Sequence, residues 1–471
     1  MVVRRNQQRT INEEIARRLL PDYNDGWPRW MKAVDQLLEA DELIDLVHEA
    51  LMKRHPQSWR RGRNSTASEV VLRLIILKHM KNWSYRELEE EVRPNLVYRE
   101  FTRIGCGKVP DEKTMVRLGQ ALGPEVLEKI NEAVVVQAIE NKVVKGRKMR
   151  VDTTVVETNI HYPTDSQLLA DGTRVIGRLV KKIEEKLGKV EEKFRDRARS
   201  IRHRLIELGK AALQRGEQAK EKRKEIYKEL MRTTRRVMTE GQAAVDRAVE
   251  QAKKIRNKSK RAAIEQLAVQ VSDVIGLTER VMKQTRARVM KGDTHYEDKL
   301  VSIFEPETET IRKGKAAKPT EFGKMVKIQE AEHQVITHYE VYDKRPADQE
   351  LLIPSVEKHV EIFGRAPNLA AADAGFHSKA NETRASELGV KKLAVPGRRG
   401  RRSGKKKAPR PRWFKEGQRW RVGCEGRISV LKRRSGLSRS RYRGREGIKR
   451  WVGLGVIADN LMSIGRVLAS S

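Results

Sequence analysis

The sequence predicts an α/β domain that is preceded by an all-α domain and interrupted by a long helical insertion. Three observations lead there. The β-branched stretch Lys148–Ile160 reads as a strand. From about Val175 to Val289 the chain is rich in Lys, Arg and Glu, lacks proline and keeps a helical spacing of apolar residues. After Gly292, strand-like and helix-like segments alternate. The helical stretch therefore reads as an excursion after the first strand of one domain. The expected division is 1–145, then 146–170 joined with 294–471, with 171–293 inserted.

Composition narrows the class of function. The 471 residues include 35% charged and only 5% aromatic side chains, with a formal net charge of +36. So basic a chain implies a polyanionic partner, nucleic acid first. An acidic membrane surface is the rival, but no amphipathic anchor or lipidation motif is present. The polar N-terminus, Met1 to Arg18, does not read as a signal peptide. The apolar run Trp451–Ala469 contains Asp459, Asn460 and Arg466 and reads as a buried helix rather than a membrane span. With Cys106 and Cys424 the only cysteines, a disulfide framework and a cysteine-rich zinc module are excluded. A reducing, cytoplasmic setting is expected.

In the N-terminal 145 residues, Trp30, Val34, Leu37, Leu38, Ile44 and Val47 mark helices. Thr66 with Glu69 predicts a capping box ahead of Val70–Leu77, and Ser84 with Glu87 predicts a second one. Two capped helices around the turn Lys81–Trp83 resemble a helix-turn-helix. Glu89, Glu90 and Glu91 would repel phosphate, so core packing or dimer contacts are expected of the second helix. Duplex contact falls instead to Arg60, Arg61, Arg63 and the 93–108 loop. A helix starting at Pro110–Thr114 follows, and Val134–Ile139 closes the domain.

Asp152 lies inside the 148–160 strand, where a carboxylate is costly unless a positive charge offsets it. Either the strand is at an edge with Asp152 in water, or Asp152 is a metal ligand on a central strand. In the insertion, Ile176, Val180, Ile183, Leu187, Val190, Phe194, Ile201, Leu205, Leu208 and Ala212 follow heptad spacing. A less regular seam runs from Val245 to Val281. The simplest expectation is an antiparallel hairpin, with arms of about 38 residues and roughly 55–60 Å. Gly209, Gly216 and Gly241 are candidate turns or frays.

Beyond Gly292, Leu300–Phe304 reads as a strand, and Lys324–Ile328 with Val335–Tyr342 as a hairpin. A helix from Asp348 to Phe363 leads to the strand Asn368–Asp373 and a glycine turn. A helix to about Leu388 and the strand Val390–Val395 follow. The loop 397–412 carries Arg398, Arg399, Arg401, Arg402, Lys405, Lys406 and Lys407 with nothing apolar to pack, so nucleic-acid contact is expected. Trp413, Phe414 and Trp420 either stack on unpaired bases or anchor that loop, the commoner role. Glu425 then falls in the first turn of an apparent helix with an apolar face of Ile428, Val430 and Leu431. Arg427, Lys432, Arg433 and Arg434 make the rest of it basic. Lys432 stands two turns beyond Glu425 on the same side.

Asp152 on a strand, Asp373 at a strand end and Glu425 on a helix make three separated acids within one α/β domain. In such sheets ligands gather at the carboxyl ends of strands. Carboxylates without a His or Cys set point to hard cations, Mg²⁺ or Mn²⁺. Paired ions of this kind clamp the attacking and leaving oxygens of in-line phosphoryl displacement. Glu157, Asp165 and Asp171 are alternative ligands, while His161 and His377 read as satisfied loop histidines.

Val151-Asp152-Thr153-Thr154, Asn159–Ser166, Ala372–Phe376 and Arg421-x-x-x-Glu425-x-x-x-x-x-x-Lys432 together resemble insertion-sequence transposases of the DDE superfamily, most closely the ISNCY group. Tyr85-Arg86-Glu87-Leu88 and the leucine-rich C-terminal helix extend the resemblance over nearly the whole chain. It implies a ribonuclease-H-like catalytic domain, a mixed five-stranded sheet with flanking helices. It also implies that Asp152, Asp373 and Glu425 hold two Mg²⁺ ions (Mn²⁺ substituting), with Arg421 and Lys432 on DNA phosphates. The expected activity is hydrolysis at the element's ends, then attack of the freed 3′-hydroxyl on target DNA. Double-stranded DNA (terminal inverted repeats and target) and a homodimer at the bacterial nucleoid are implied as well. Gln418 stands where the family's motif has Tyr. A non-transposing nuclease or resolvase and a non-enzymatic coiled-coil DNA-bridging protein are the rival expectations.

Overall fold

A computed structural model describes residues 2–6, 27–54, 57, 65–188, 192–312, 319–397 and 410–470. The basic residues 398–409 and Arg60, Arg61 and Arg63 lie outside the described residues. The chain forms two compact units, Met1–Asn159 with Lys313–Ser471, and Ile160–Arg312. Its strands, among the described residues, are β1 (Lys148–Glu157), β2 (Glu309–Arg312), β3 (Thr320–Glu330), β4 (Ile336–Val341), β5 (Leu369–Ala371) and β6 (Lys392–Ala394).

Within the first unit the strands run in the order β4-β3-β1-β5-β6. β1 pairs antiparallel with β3 and parallel with β5, β3 pairs antiparallel with β4, and β5 pairs parallel with β6. This is a mixed sheet with β1 at its centre, so the edge-strand explanation of Asp152 does not hold. Helices flank it, and the helix Arg412–Arg434 lies on β1, β5 and β6.

The N-terminal part is helical, and its axis is the helix Ser68–Met80, buried along its whole length. That helix carries Arg73, Lys78 and His79 as well as its apolar residues, so its polar side chains must find partners inside. The capping box expected of Thr66 and Glu69 is absent: Ala67 is the cap residue and offers no side-chain bond. Glu69 turns inward, 3.7 Å from Arg103, 3.8 Å from Arg5 and 3.9 Å from Arg73. Tertiary charge partners outcompete the local cap. The second box does form, with Ser84 and Glu87 bonded reciprocally at 3.1 and 2.6 Å. Leu88 and Val92 of that helix are buried, which is the core-packing role expected of it.

The C-terminal helix Arg445–Ser470 is, among the described residues, the one helix long and apolar enough to cross a membrane, and 78% of that window is buried inside the protein. Its polar residues explain why it belongs to the core. Asp459 pairs with the buried Arg427. Asn460 bonds both the N–H and the carbonyl of Ile336 at 2.8 Å, satisfying the start of β4.

The second unit corrects the single-hairpin expectation. Among its described residues are four α-helices, Asp165–Leu187, Ala198–Ala212, Glu217–Lys253 and Lys258–Thr285, the last running into a π-helical turn, Arg286–Met290. The heptad seam breaks at Gly188, whose φ of +90° ends the first helix. Apolar spacing persists across the break because both segments feed neighbouring cores. Gly241 is no turn; it lies inside a helix, where a Cβ would come within 2.8 Å of Ile176. Leu300–Phe304 is not a strand. Leu300 and Ile303 fill an apolar core as loop residues, and the Gln284 side chain bonds the Leu300 N–H and carbonyl at 2.8 and 3.0 Å.

Candidate active site

β1 and β5 are in parallel register, Arg150 opposite Ala371. Asp152 lies two residues beyond this pair on β1, and Asp373 two residues beyond it, just past the end of β5, so both acids stand at the same end of the paired strands. Both are half-buried. Asp152 accepts the Thr153 N–H at 2.7 Å, and Asp373 accepts the Gly375 N–H at 2.7 Å, which starts the short 3₁₀ turn Ala374–Phe376.

Glu425 comes from the other side, on Arg412–Arg434. It lies in the middle of that helix, not in its first turn, because the helix begins thirteen residues earlier at Arg412. Its side chain is 56% exposed and is held by Arg421, one turn back, at 2.8 Å. The same guanidinium lies 3.8 Å from Asp152 and is itself only 14% exposed. Arg421 thus bridges the strand acid and the helix acid. Lys432 is half-buried farther along the helix.

Two features seat this helix. Gly417 and Gly423 allow close approach: a Cβ would meet Ala394 at 2.7 Å in the first case and Arg150 at 2.4 Å in the second. Each mid-helix glycine costs about 1 kcal/mol relative to Ala, so helix–sheet contact decides their presence. Polar ties add to this. Gln418 donates to the carbonyls of Ala372, at 3.2 Å, and Ala394, the ends of β5 and β6. The residue that departs from the family's motif therefore pins the helix beside Asp373. Below it, Arg150 pairs with buried Glu330 at 2.5 Å, donates to the Trp420 carbonyl at 2.6 Å and lies 4.9 Å from the Trp420 ring centre. Trp420 is an anchor in this arrangement, and Trp413 packs edge-on against Phe414. Cys424 faces Glu330, and burial pushes its thiol well above the ordinary range, so it stays protonated and inert.

One acid escaped the sequence reading. Asp348 accepts a bond from Thr153 Oγ1 at 3.3 Å, and a Cβ on Gly375 would lie 3.0 Å from Asp373 and 3.1 Å from Asp348. Asp348 therefore stands beside Asp373 and next to Asp152. Nothing in its local sequence marks it, since it opens an ordinary surface helix; only the packing of two 3₁₀ turns brings it in.

The alternative ligands are engaged elsewhere. Glu157 pairs with Arg439, Asp165 with Gln284 and Arg288, and Asp171 with Arg174 and His161. His377 pairs with Glu382. Among the described residues no group of three or more His, Cys, Asp or Glu side chains converges to hold a metal ion. The carboxylate oxygens of Asp152, Asp373 and Glu425 have the right chemistry for a hard divalent cation. Arg421, however, spans two of the three, so sharing an ion requires it to leave Glu425.

Residues 29–120 match the family model described as a transposase domain (DUF772), and residues 391–464 match a transposase DDE domain. The chain is also similar to an uncharacterized protein, ORF8 in the nfe locus of Rhizobium meliloti, at 30% identity over 131 residues. That match takes in 26% of this chain and 61% of the relative's own length. No solved structure matches. One family match lies over the N-terminal helices and the other over the segment that carries Glu425, and both support an insertion-sequence transposase of the DDE type.

Proposed function

We propose that this protein cuts the ends of an insertion sequence and joins the freed 3′-hydroxyl to target DNA, with Asp152, Asp373 and Glu425 as the divalent-ion ligands. The observation that supports the reading is Arg421, which lies 3.8 Å from Asp152 and 2.8 Å from Glu425, with Asp373 just past the end of β5, the strand paired with β1. The finer fold assignment, ribonuclease-H-like, draws support from three antiparallel strands continuing into two parallel ones. The division at 145/146 with an insertion over 171–293 belongs to the same reading. So do the ISNCY-like grouping, the homodimer and the nucleoid location.

Enzymes of this family generally use divalent metals, and bound Mg²⁺ or Mn²⁺ would supply Lewis-acid activation of the scissile phosphate. The chain's own residues do the remaining work. Gln418 and Arg150 hold the helix over the strand ends, with Arg421 between Glu425 and Asp152. Arg421 neutralises the acids and, once released from Glu425, has donors for a DNA phosphate; Lys432 takes a second phosphate along the same helix. The loop 398–409 contributes non-specific backbone contact.

The test is cleavage and strand transfer on duplexes carrying the element's paired ends, with Mg²⁺, Mn²⁺ or EDTA. Cleavage that needs a divalent ion and joins ends to a target supports the reading. Cutting without joining under every condition would reduce it to a nuclease, and cutting by Asp152→Asn would sink the site assignment.

A further inference from the structure

The first unit holds a second cluster of cations on elements that carry none of the three acids. A pocket of about 410 Å³ is lined by Lys78, Tyr85, Glu112, Arg441, Arg443 and Arg450, among others. Lys78 projects from the wholly buried helix Ser68–Met80 and is 2% exposed. Its ammonium lies 4.8, 5.0 and 5.2 Å from the ring centres of Tyr85, Trp451 and Tyr442. Three aromatic faces offset part of the cost of burying that charge, but none is a counter-ion. The hydrogen-bonding contact it makes is with the His79 ring, at 3.5 Å.

The arginines around it are in the same condition. Arg441 donates to the Asn82 carbonyl at 3.0 Å and Arg450 to the Gly119 carbonyl at 3.1 Å. Among the described residues, Lys78, Arg441, Arg443 and Arg450 make no ion pair with a carboxylate, and Glu112 is the one acid on the pocket's lining. Burial pushes Lys78 down to about 7, with Arg441 adding to the effect and Glu87 opposing it. The hydroxyls of Tyr85 and Tyr442 meet at 2.8 Å, and that of Tyr442 also lies 3.4 Å from the His79 ring nitrogen. Four cationic groups therefore converge on a cavity whose lining carries one carboxylate, Glu112.

We propose that this pocket is an oxyanion site that takes a single phosphate group, either a backbone phosphodiester of bound DNA or free inorganic phosphate. The first source rests on the DNA-acting reading above; the second does not. A bound anion would favour the charged form of Lys78, so binding takes up a proton and weakens as pH rises from 7. The charged and titratable groups that face Lys78 are His79 on its own helix, Tyr85 and Glu87, Glu112, Arg441 and Tyr442, and Arg450.

Two measurements on the full chain test the site. The first compares melting in inorganic phosphate and in chloride at equal ionic strength, for the unmodified protein, Lys78→Met and the double variant Arg441→Gln/Arg443→Gln. Lys129→Gln, an exposed lysine on the helix Pro124–Glu140, controls for lost charge. The second measures duplex affinity by anisotropy across salt concentrations, where each lost phosphate contact flattens the log–log slope by about 0.9. The expected result is a phosphate-specific rise in melting temperature that the pocket variants lose and the control keeps. If the occupant is a DNA phosphate, the pocket variants also flatten the slope. A phosphate shift with unchanged slopes assigns the pocket to free phosphate, and a chain that binds no duplex sinks the DNA reading while the phosphate arm still reports on the pocket. No phosphate shift together with unchanged slopes overturns the proposal.

Discussion

Two clusters of buried charge in the first unit are built from the same residue types and differ in one respect. Arg73 and Arg103, nearly inaccessible to solvent, are matched by Asp35 and Glu39 at 2.5 to 3.1 Å, with Glu69 within 4 Å. Lys78, one and a half turns along the same helix from Arg73, has aromatic faces but no carboxylate, and three arginines share its pocket. The matched set closes on itself and locks the helices Arg29–Leu37 and Ser68–Met80 to the Arg103 turn. The unmatched set leaves charge for something from outside. Among the candidate catalytic acids, Arg421 lies 3.8 Å from Asp152 and 2.8 Å from Glu425. The matched buried charge around Arg73 marks structure, and the cations around Lys78 mark a site.

That contrast can be broken at several points. The largest effect is expected at the acids. Asp152→Asn, Asp373→Asn and Glu425→Gln should each remove DNA cleavage to below detection in a gel assay, with duplex binding and melting temperature retained. Arg73→Met tests the matched set: it takes from Asp35, Glu39 and Glu69 one of their two buried arginines, leaving Arg103, and should cost up to about 3–5 kcal/mol in denaturant unfolding, the usual penalty for breaking a buried pair. Duplex affinity of the folded protein should not change. Gln418→Leu loses two bonds to strand-end carbonyls and should cost about 1–3 kcal/mol, and slow cleavage as the helix that carries Glu425 is held less firmly.

The smallest effect is at Lys78, and its sign is opposite. With the folded-state pKa pushed down to about 7 from 10.5, the unfolded chain binds the extra proton between those values, so this group makes stability rise with pH across that window. Lys78→Met removes the slope. Its melting temperature should exceed that of the unmodified protein by most near pH 7, and the gap should narrow toward pH 10. A gap that widens with pH would show that Lys78 has a counter-charge and belongs to the matched class.

Much of this was legible in the chain. Periodicity gave the helix-rich N-terminus, the central strand, the hairpin β3–β4 and the alternation that follows, because apolar spacing reports which face of an element is buried. Asp152 and Asp373 stand out in the sequence for a different reason, as carboxylates in a β-branched strand and before a glycine turn, whereas Glu425 on its helix does not stand out by itself. Other features were not. Heptad spacing in the insertion promised one continuous hairpin, yet spacing is preserved when a chain breaks at Gly188 and both pieces pack into adjacent cores. Glu69 had every local mark of a cap and went inside to meet Arg103.

By itself, then, the sequence determined what kind of element each segment becomes and which acids carry an unusual cost, since both depend on neighbours within a turn or a pleat. Only the tertiary structure decided which charges meet. The pairing of Arg150 with Glu330, the arrival of Asp348 beside Asp373 and the aromatic enclosure of Lys78 all join residues far apart in the chain. Such contacts depend on the register of β1 with β5 and on where the helices come to rest, and no local pattern encodes either.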